Sequence, residues 1–197
     1  MSEASAAVAA LEPVYANVER ILRGVAPDAW SAPTPCPRYD VRAVTNHLLA
    51  TLDVFRAGLV GEEYPAEDLE RDFAGDDPPG AFAALAEANL AAWRQPGALD
   101  GMLSLPFGES PAQVVAFLNL GDAMLHGWDV AVATGQDPAL AEAPAELMLG
   151  FMQGMLKPEM RREGPDATFG LEVSVPPDAP VTDRMVAFSG RDPRWRP

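Results

Sequence analysis

The chain of 197 residues holds two histidines, His47 and His126. Asp122 stands four residues before His126, and Asp129 three residues after it. With about 3.6 residues per helical turn, side chains four apart sit one turn above each other on the same side. That spacing lets a carboxylate and an imidazole on one helix grip a single divalent ion. At about 100° per residue, Asn119, Asp122, His126 and Asp129 share one face. Val115, Leu118 and Ala133 continue that face, and the opposite face carries Phe117, Leu120, Met124, Trp128 and Ala131. A helix apolar nearly all round is expected inside the protein, so the polar stripe should point inward. Buried carboxylates are costly unless paired, hydrogen-bonded or bound to metal. No lysine or arginine occurs from 112 to 134, so that helix offers no cationic partner, and a divalent cation would supply one.

His47 falls at the flank of the apolar stripe of an earlier helix, beside Thr51. Antiparallel packing of the two helices would bring it opposite His126. His47, Asp122 and His126 would then form a set of two imidazoles and one carboxylate. Three protein ligands leave a position open, which is the pattern of catalytic rather than structural metal sites. From spacing alone a second account stands equal: His126 is a satisfied core histidine, and Asp122 orients it. Asp129 is a candidate for orienting a ligand or for meeting a cofactor. Asn46 and Asn119 are further candidate cofactor contacts, although either could cap or bond backbone. Cys36 reads as a small packing residue rather than a nucleophile. Six of the eight methionines lie between 102 and 160 and read as core filler.

The elements that must position these groups are mostly helical. Leu11, Val14, Tyr15, Val18, Ile21 and Leu22 recur at three- and four-residue spacing and predict a helix over 5–24. The connector Ala32-Pro33-Thr34-Pro35-Cys36-Pro37 is stiffened by its prolines. Asp40 suits an N-cap for a second helix over 41–60. An acidic loop with a short strand or helical turn is expected over 61–79, then a third helix over 80–95. Residues 101–110 read as a short extended segment with a turn. The helix bearing His126 spans 111–134, and another spans 140–157. The tail reads as a strand at 169–175 and a short helix near 181–189. The expected fold is all-α in the main: a helical bundle over 1–160, with a small α/β C-terminal extension, 161–197, packed on it.

Composition narrows the partners. Lys and Arg total 14 and Asp and Glu 29, a formal charge of −15, and the basic residues are scattered. Phosphate backbones and anionic membranes need clustered bases, so neither is an expected partner. The single cysteine allows no internal disulfide. The opening Met1-Ser2-Glu3-Ala4-Ser5 lacks the basic region and apolar run of a leader, and no run reaches ~20 apolar residues. A cytoplasmic protein acting on a small molecule is expected. No apolar surface stripe can be told from core, so a homodimer stays open.

Two segments carry a resemblance. Pro35-Cys36-Pro37-Arg38-Tyr39-Asp40-Val41, followed by His47-Leu48, resembles a Pro-Cys-Pro-x-aromatic-Asp-Val…His-Leu signature. Asp122-x-x-x-His126-Gly127-Trp128-Asp129-Val130-Ala131 resembles a His-Gly-Trp-Asp-Leu-Ala segment. Ala133-Thr134-Gly135-Gln136 and Phe188-x-Gly190-Arg191-Asp192-Pro193 fit the same pattern. Together they resemble the DinB-like metal-binding superfamily, in its actinobacterial branch related to mycothiol-dependent maleylpyruvate isomerase. The resemblance implies an up-down-down-up four-helix bundle. It implies a divalent metal, zinc first and nickel second, held by His47, Asp122 and His126. It also implies mycothiol or a similar low-molecular-weight thiol as the metal's partner in a transferase or isomerase reaction. The isomerase carries Glu at the carboxylate position, where this chain has Asp122, and has a larger C-terminal domain. Its own activity is therefore not carried over. Two other readings of the residues remain: a bundle that an ion only stabilises, and a metal-free bundle that binds a small ligand.

Overall fold

A computed structural model describes residues 2–164 and 169–197 of the chain, so residues 165–168 of the C-terminal extension lie outside the described residues. Four long helices form the body: α1 (Glu3–Arg23), α2 (Val41–Val60), α3 (Pro78–Trp93) and α4 (Ala112–Ala133). Local chemistry sets their ends. Ser2 caps α1 by accepting from the Ser5 amide at 3.1 Å, which starts the helix at Glu3 rather than residue 5. Asp40 caps α2 by accepting from the Ala43 amide at 2.8 Å, as expected. Asp77 caps α3, and Pro78 and Pro79 fill the first turn, where a missing N–H costs nothing. That chemistry moves the start of α3 back from residue 80 to Pro78.

Contacts between the helices fix their directions. Past the end of α4, Gln136 Nε2 donates to Ile21 O near the end of α1, so α1 and α4 run in parallel. On α2, Thr51 meets Asp122 of α4, and Gly58 lies against Leu105, which precedes α4. Those two helices are therefore antiparallel. Asn46, early in α2, binds the backbone at Phe73 and Ala74 ahead of α3, and Leu52 meets Asn89 late in α3. Thus α2 and α3 run in parallel, and the bundle is up-down-down-up. The long connector between them holds a short 3-10 turn, Ala66–Glu70.

One buried polar chain ties all four helices together. Trp93 Nε1 donates to Asn119 Oδ1 at 2.8 Å, and Asn119 Nδ2 donates to Tyr15 Oη at 2.8 Å. Tyr15 Oη donates to Asn89 Oδ1 at 2.9 Å, and Asn89 Nδ2 donates to Leu52 O at 3.0 Å. Around it pack Leu11, Ile21, Leu48, Leu49, Phe82 and Leu120, all essentially inaccessible. Gly127 lets α1 and α4 close on each other: a Cβ there would lie 2.8 Å from Val18 Cγ2.

Residues 101–110 do more than turn. They build a hairpin of β1 (Met102–Leu105) and β2 (Gly108–Pro111), paired antiparallel with Leu105 opposite Gly108. Leu103 and Leu105 are its buried side. After α4 come α5 (Glu142–Met155), a 3-10 turn at Pro158–Met160, and α6 (Val181–Phe188), which packs on α5. Residues 169–175 do not form the expected strand. They run as an extended segment held by isolated bonds, such as Val173 N to Ala187 O at 3.0 Å. With no neighbouring strand to pair with, that segment borrows the end of α6. The protein is thus mainly helical with a small two-stranded sheet, and that sheet lies between α3 and α4. Among the described residues, no helix is long and apolar enough to cross a membrane.

Tyr15→Phe removes the hydroxyl that joins Asn119 to Asn89 and strands two buried amide groups. A loss of about 1–3 kcal/mol is expected. It is read as a lower denaturant midpoint with an unchanged slope.

Candidate metal centre and adjoining cavity

The stiff connector ahead of α2 is locked onto itself. Thr34 Oγ1 lies 2.7 Å from Tyr39 O and accepts from the Cys36 amide at 3.1 Å. Val41 N donates to Ala32 O, and Arg42 N donates to Trp30 O. This frame sets the Tyr39 ring against His47, with centroids 5.3 Å apart and planes 23° from parallel. One turn into α2, His47 then faces α4.

His47, Asp122 and His126 come together, each offering a ligand atom within 4.8 Å of the others. Asp122 Oδ1 lies 3.4 Å from His126 Nε2 and 3.8 Å from His47 Nε2. Its other oxygen, Oδ2, is held by the Thr51 hydroxyl. The short aspartate therefore presents one oxygen to the histidines. The two imidazole rings stand perpendicular, with centroids 5.0 Å apart.

His126 Nδ1 lies 2.9 Å from Asp129 Oδ2. Burial pushes the Asp129 carboxyl up, but Arg191 and His126 outweigh that and hold it below the ordinary aspartate range. Asp129 is therefore ionised and accepts a proton from Nδ1, while Nε2 of His126 faces Asp122. Burial lowers the pKa of His47, and Asp122 only partly restores it, so His47 is neutral at neutral pH. Two imidazole nitrogens and a carboxylate oxygen thus converge from two helices. Two imidazoles and one carboxylate are a donor set that fits a divalent ion. A tetrahedral ion with bonds of about 2.0–2.1 Å spaces its donors about 3.3 Å apart, against 3.4 Å for Asp122 with His126 and 3.8 Å for Asp122 with His47.

The partner of Asp129 comes from outside the helix. The α4 helix carries no base, but Arg191, just past α6, grips Asp129 with Nε and Nη2, each at 2.8 Å. Asp129 is fully buried. The helix lacks a cationic partner as expected, but the fold supplies one for Asp129: Arg191 neutralises it, and Asp122 remains. Asp129 does orient His126. Its two oxygens meet Arg191 and His126.

The two asparagines have their partners within the protein, and Asn46 takes the backbone-bonding alternative. Asn119 belongs to the sealed polar chain in the core, its amide bonded to Tyr15 and Trp93. Asn46 accepts from the Phe73 and Ala74 amides and donates to Arg71 O, fixing the loop ahead of α3. Neither side chain is among those that line the cavity beside the histidines. Sharing a helical face with Asp122 did not suffice for Asn119, because the neighbouring helices cross that face at different heights.

The cavity measures about 350 Å³ and lies between α2, α4, α5 and the tail. His47, Thr51, Asp122 and His126 form its polar end. Met148, Met152, Met155 and Met160 line it, so half of the chain's methionines face this space rather than filling core. Cys36 also lines it, and burial with the nearby Asp129 charge pushes its thiol pKa up, which disfavours thiolate. Among the arginines with a conceivable role in holding an anion, Arg42, Arg56 and Arg94 pair with Asp72, Asp53 and Glu12. Arg38 and Arg191 are the cations lining the cavity.

With that geometry in view, the comparisons are specific. Residues 11–131 match the family model described as the mycothiol maleylpyruvate isomerase N-terminal domain. Two uncharacterized proteins of Mycobacterium tuberculosis are each 30% identical over 174 residues, covering 88% of this chain and 91% of theirs. A crystal structure of a mutant of the mycothiol-dependent maleylpyruvate isomerase superposes with a TM-score of 0.55 at 15% identity. That match covers 73% of this chain and 67% of the other, and it speaks to the fold.

Arg191→Ala leaves the Asp129 charge buried with only His126 beside it. A loss of about 3–5 kcal/mol in unfolding free energy is expected. In a double-mutant cycle, Arg191→Met with Asp129→Asn should cost clearly less than the sum of the singles. Because the folded pKa of Asp129 is depressed, the pair's stabilisation is present above the ordinary aspartate pKa of about 3.9. It is lost as pH falls through the lower folded value, and acid titration of the single variants against the wild type checks this.

Proposed function

The chain belongs to the mycothiol maleylpyruvate isomerase N-terminal domain family, and from that premise we propose that it is a divalent-metal protein working with a low-molecular-weight thiol. The reaction class is transfer or isomerisation on a small organic molecule. The carrying observation is the convergence of His47, Asp122 and His126 from two helices at one end of a cavity. Zinc suits two imidazoles and one carboxylate oxygen, and nickel is the alternative. An ion held there would supply Lewis acidity, lowering the pKa of a coordinated thiol so that its proton is lost to solvent and the thiolate is available as a nucleophile.

The residues of the chain have separable tasks. His47 and His126 offer neutral nitrogens. Asp122 offers one negative oxygen while Thr51 holds the other. Asp129 fixes the tautomer of His126, and Arg191 keeps Asp129 ionised and in place. Two neutral ligands and one carboxylate leave a divalent site with a net charge of about +1, which favours an anionic fourth partner such as a thiolate. A purely stabilising ion has no use for a fourth position that opens on a cavity of about 350 Å³, and this favours the catalytic over the structural reading.

Protein purified without a histidine tag is expected to carry about one equivalent of zinc or nickel by elemental analysis. His126→Ala and His47→Ala should each reduce that content at least tenfold. Finding no stoichiometric metal, or metal content unmoved by His126→Ala, would sink the assignment. In cobalt-substituted protein, mycothiol should bring up a near-ultraviolet thiolate-to-metal band, whereas a merely stabilising ion leaves the spectrum unchanged. Metal should be lost on acidification as the imidazoles charge. Because burial lowers the pKa of His47, proton competition at that ligand begins below its ordinary value of 6.5.

A further inference from the structure

The walls of the cavity say what kind of molecule joins the thiol. Its far side is built from Phe117, Phe151, Met148, Met152, Met155 and Phe169. The Phe117 and Phe151 rings stack on each other with centroids 4.2 Å apart and planes within 2°, a paired aromatic element of this wall. The methionines come from successive turns of α5, and thioether side chains re-pack around differently shaped guests. A volume of about 350 Å³ sits at the small end of the range of about 300–1,000 Å³ typical for small-molecule sites.

Positive charge is the other half of the argument. Arg191 is committed to Asp129 through two bonds of 2.8 Å and is itself buried. Arg38 is exposed at the rim, its guanidinium 5.3 Å from the centre of the Tyr39 ring. No other lysine or arginine lines the cavity among the described residues. A small dicarboxylate placed inside would lose water from two charges and find no free cation deep in the site to replace it. A molecule with an apolar body and at most one negative group loses little: its body meets the aromatic and methionine wall, and its head reaches the rim.

We propose that the second substrate of this site is a predominantly apolar molecule, aromatic or alkyl in body, with no more than one negative charge, and not a small dicarboxylate. The proposal rests on the preceding reading for what the polar end does, but not for what the wall accepts. Two probes separate the classes. In isothermal titration with the full chain, 2-naphthoate should bind at least tenfold more tightly than fumarate. Met155 is 45% exposed, so Met155→Glu should leave the melting temperature unchanged and weaken naphthoate at least tenfold. Met155→Leu should retain it. Fumarate binding as tightly as naphthoate, no naphthoate binding at millimolar concentration, or an unaltered affinity in Met155→Glu would each overturn the proposal. The same titration on His126→Ala keeps the two readings apart. Naphthoate binding that persists without metal supports the apolar site even where the metal assay fails, and loss of naphthoate with metal retained in the wild type counts against the substrate class alone.

Discussion

A carboxylate inside an apolar helix bundle must be answered by positive charge or by donors, and Asp129 is that carboxylate. It is fully buried on the helix with the most buried residues in the fold. Arg191 answers it with two bonds from beyond α6, and His126 answers it through Nδ1. This one charge therefore ties the C-terminal segment to the bundle and sets the tautomer of a histidine at the mouth of the cavity. Removing it would loosen the seat of Arg191 and the orientation of His126 at once. The tail is thereby part of the site's construction, since its arginine reaches the residue that orients a candidate ligand.

Around that anchor the bundle keeps its polar groups in separate compartments. Tyr15, Asn89, Trp93 and Asn119 satisfy one another in a closed chain that touches all four helices. Such a chain specifies how the helices meet, because a shift in any one helix would strand a buried donor or acceptor. Closer to the cavity, Thr51 and the two histidines surround Asp122. The first compartment is satisfied within the protein. The second, two imidazoles and one carboxylate, borders the cavity.

Much of this was legible in the residues. The polar stripe of α4 and the N-cap at Asp40 follow from spacing and helix geometry, while the joining of His47 to the Asp122–His126 turn was implied by the family resemblance. Other features were not legible. Arg191 lies 62 residues from Asp129, and nothing in the local pattern joins them. The tail motif containing Arg191 was visible as a motif, without a role. Asn119 and Asp122 share a face of one helix, yet one is sealed in the core and the other borders a cavity. Helical periodicity gives the direction of a side chain and not what stands opposite at that height. The methionines were misplaced for a like reason, since an apolar residue suits a core and an apolar cavity wall equally.

The sequence by itself determined which groups could do chemistry, because only two histidines exist and each falls at a spacing fixed by the helix that bears it. It also determined the helical class and the helix ends, which depend on periodicity and capping within a few residues. The tertiary structure decided which carboxylate stays free: Arg191 neutralises Asp129 and leaves Asp122 to the histidines. It decided too that the free end opens on an apolar cavity. Both outcomes arise from contacts between segments far apart in the chain, and their energies depend on burial, which no local pattern specifies.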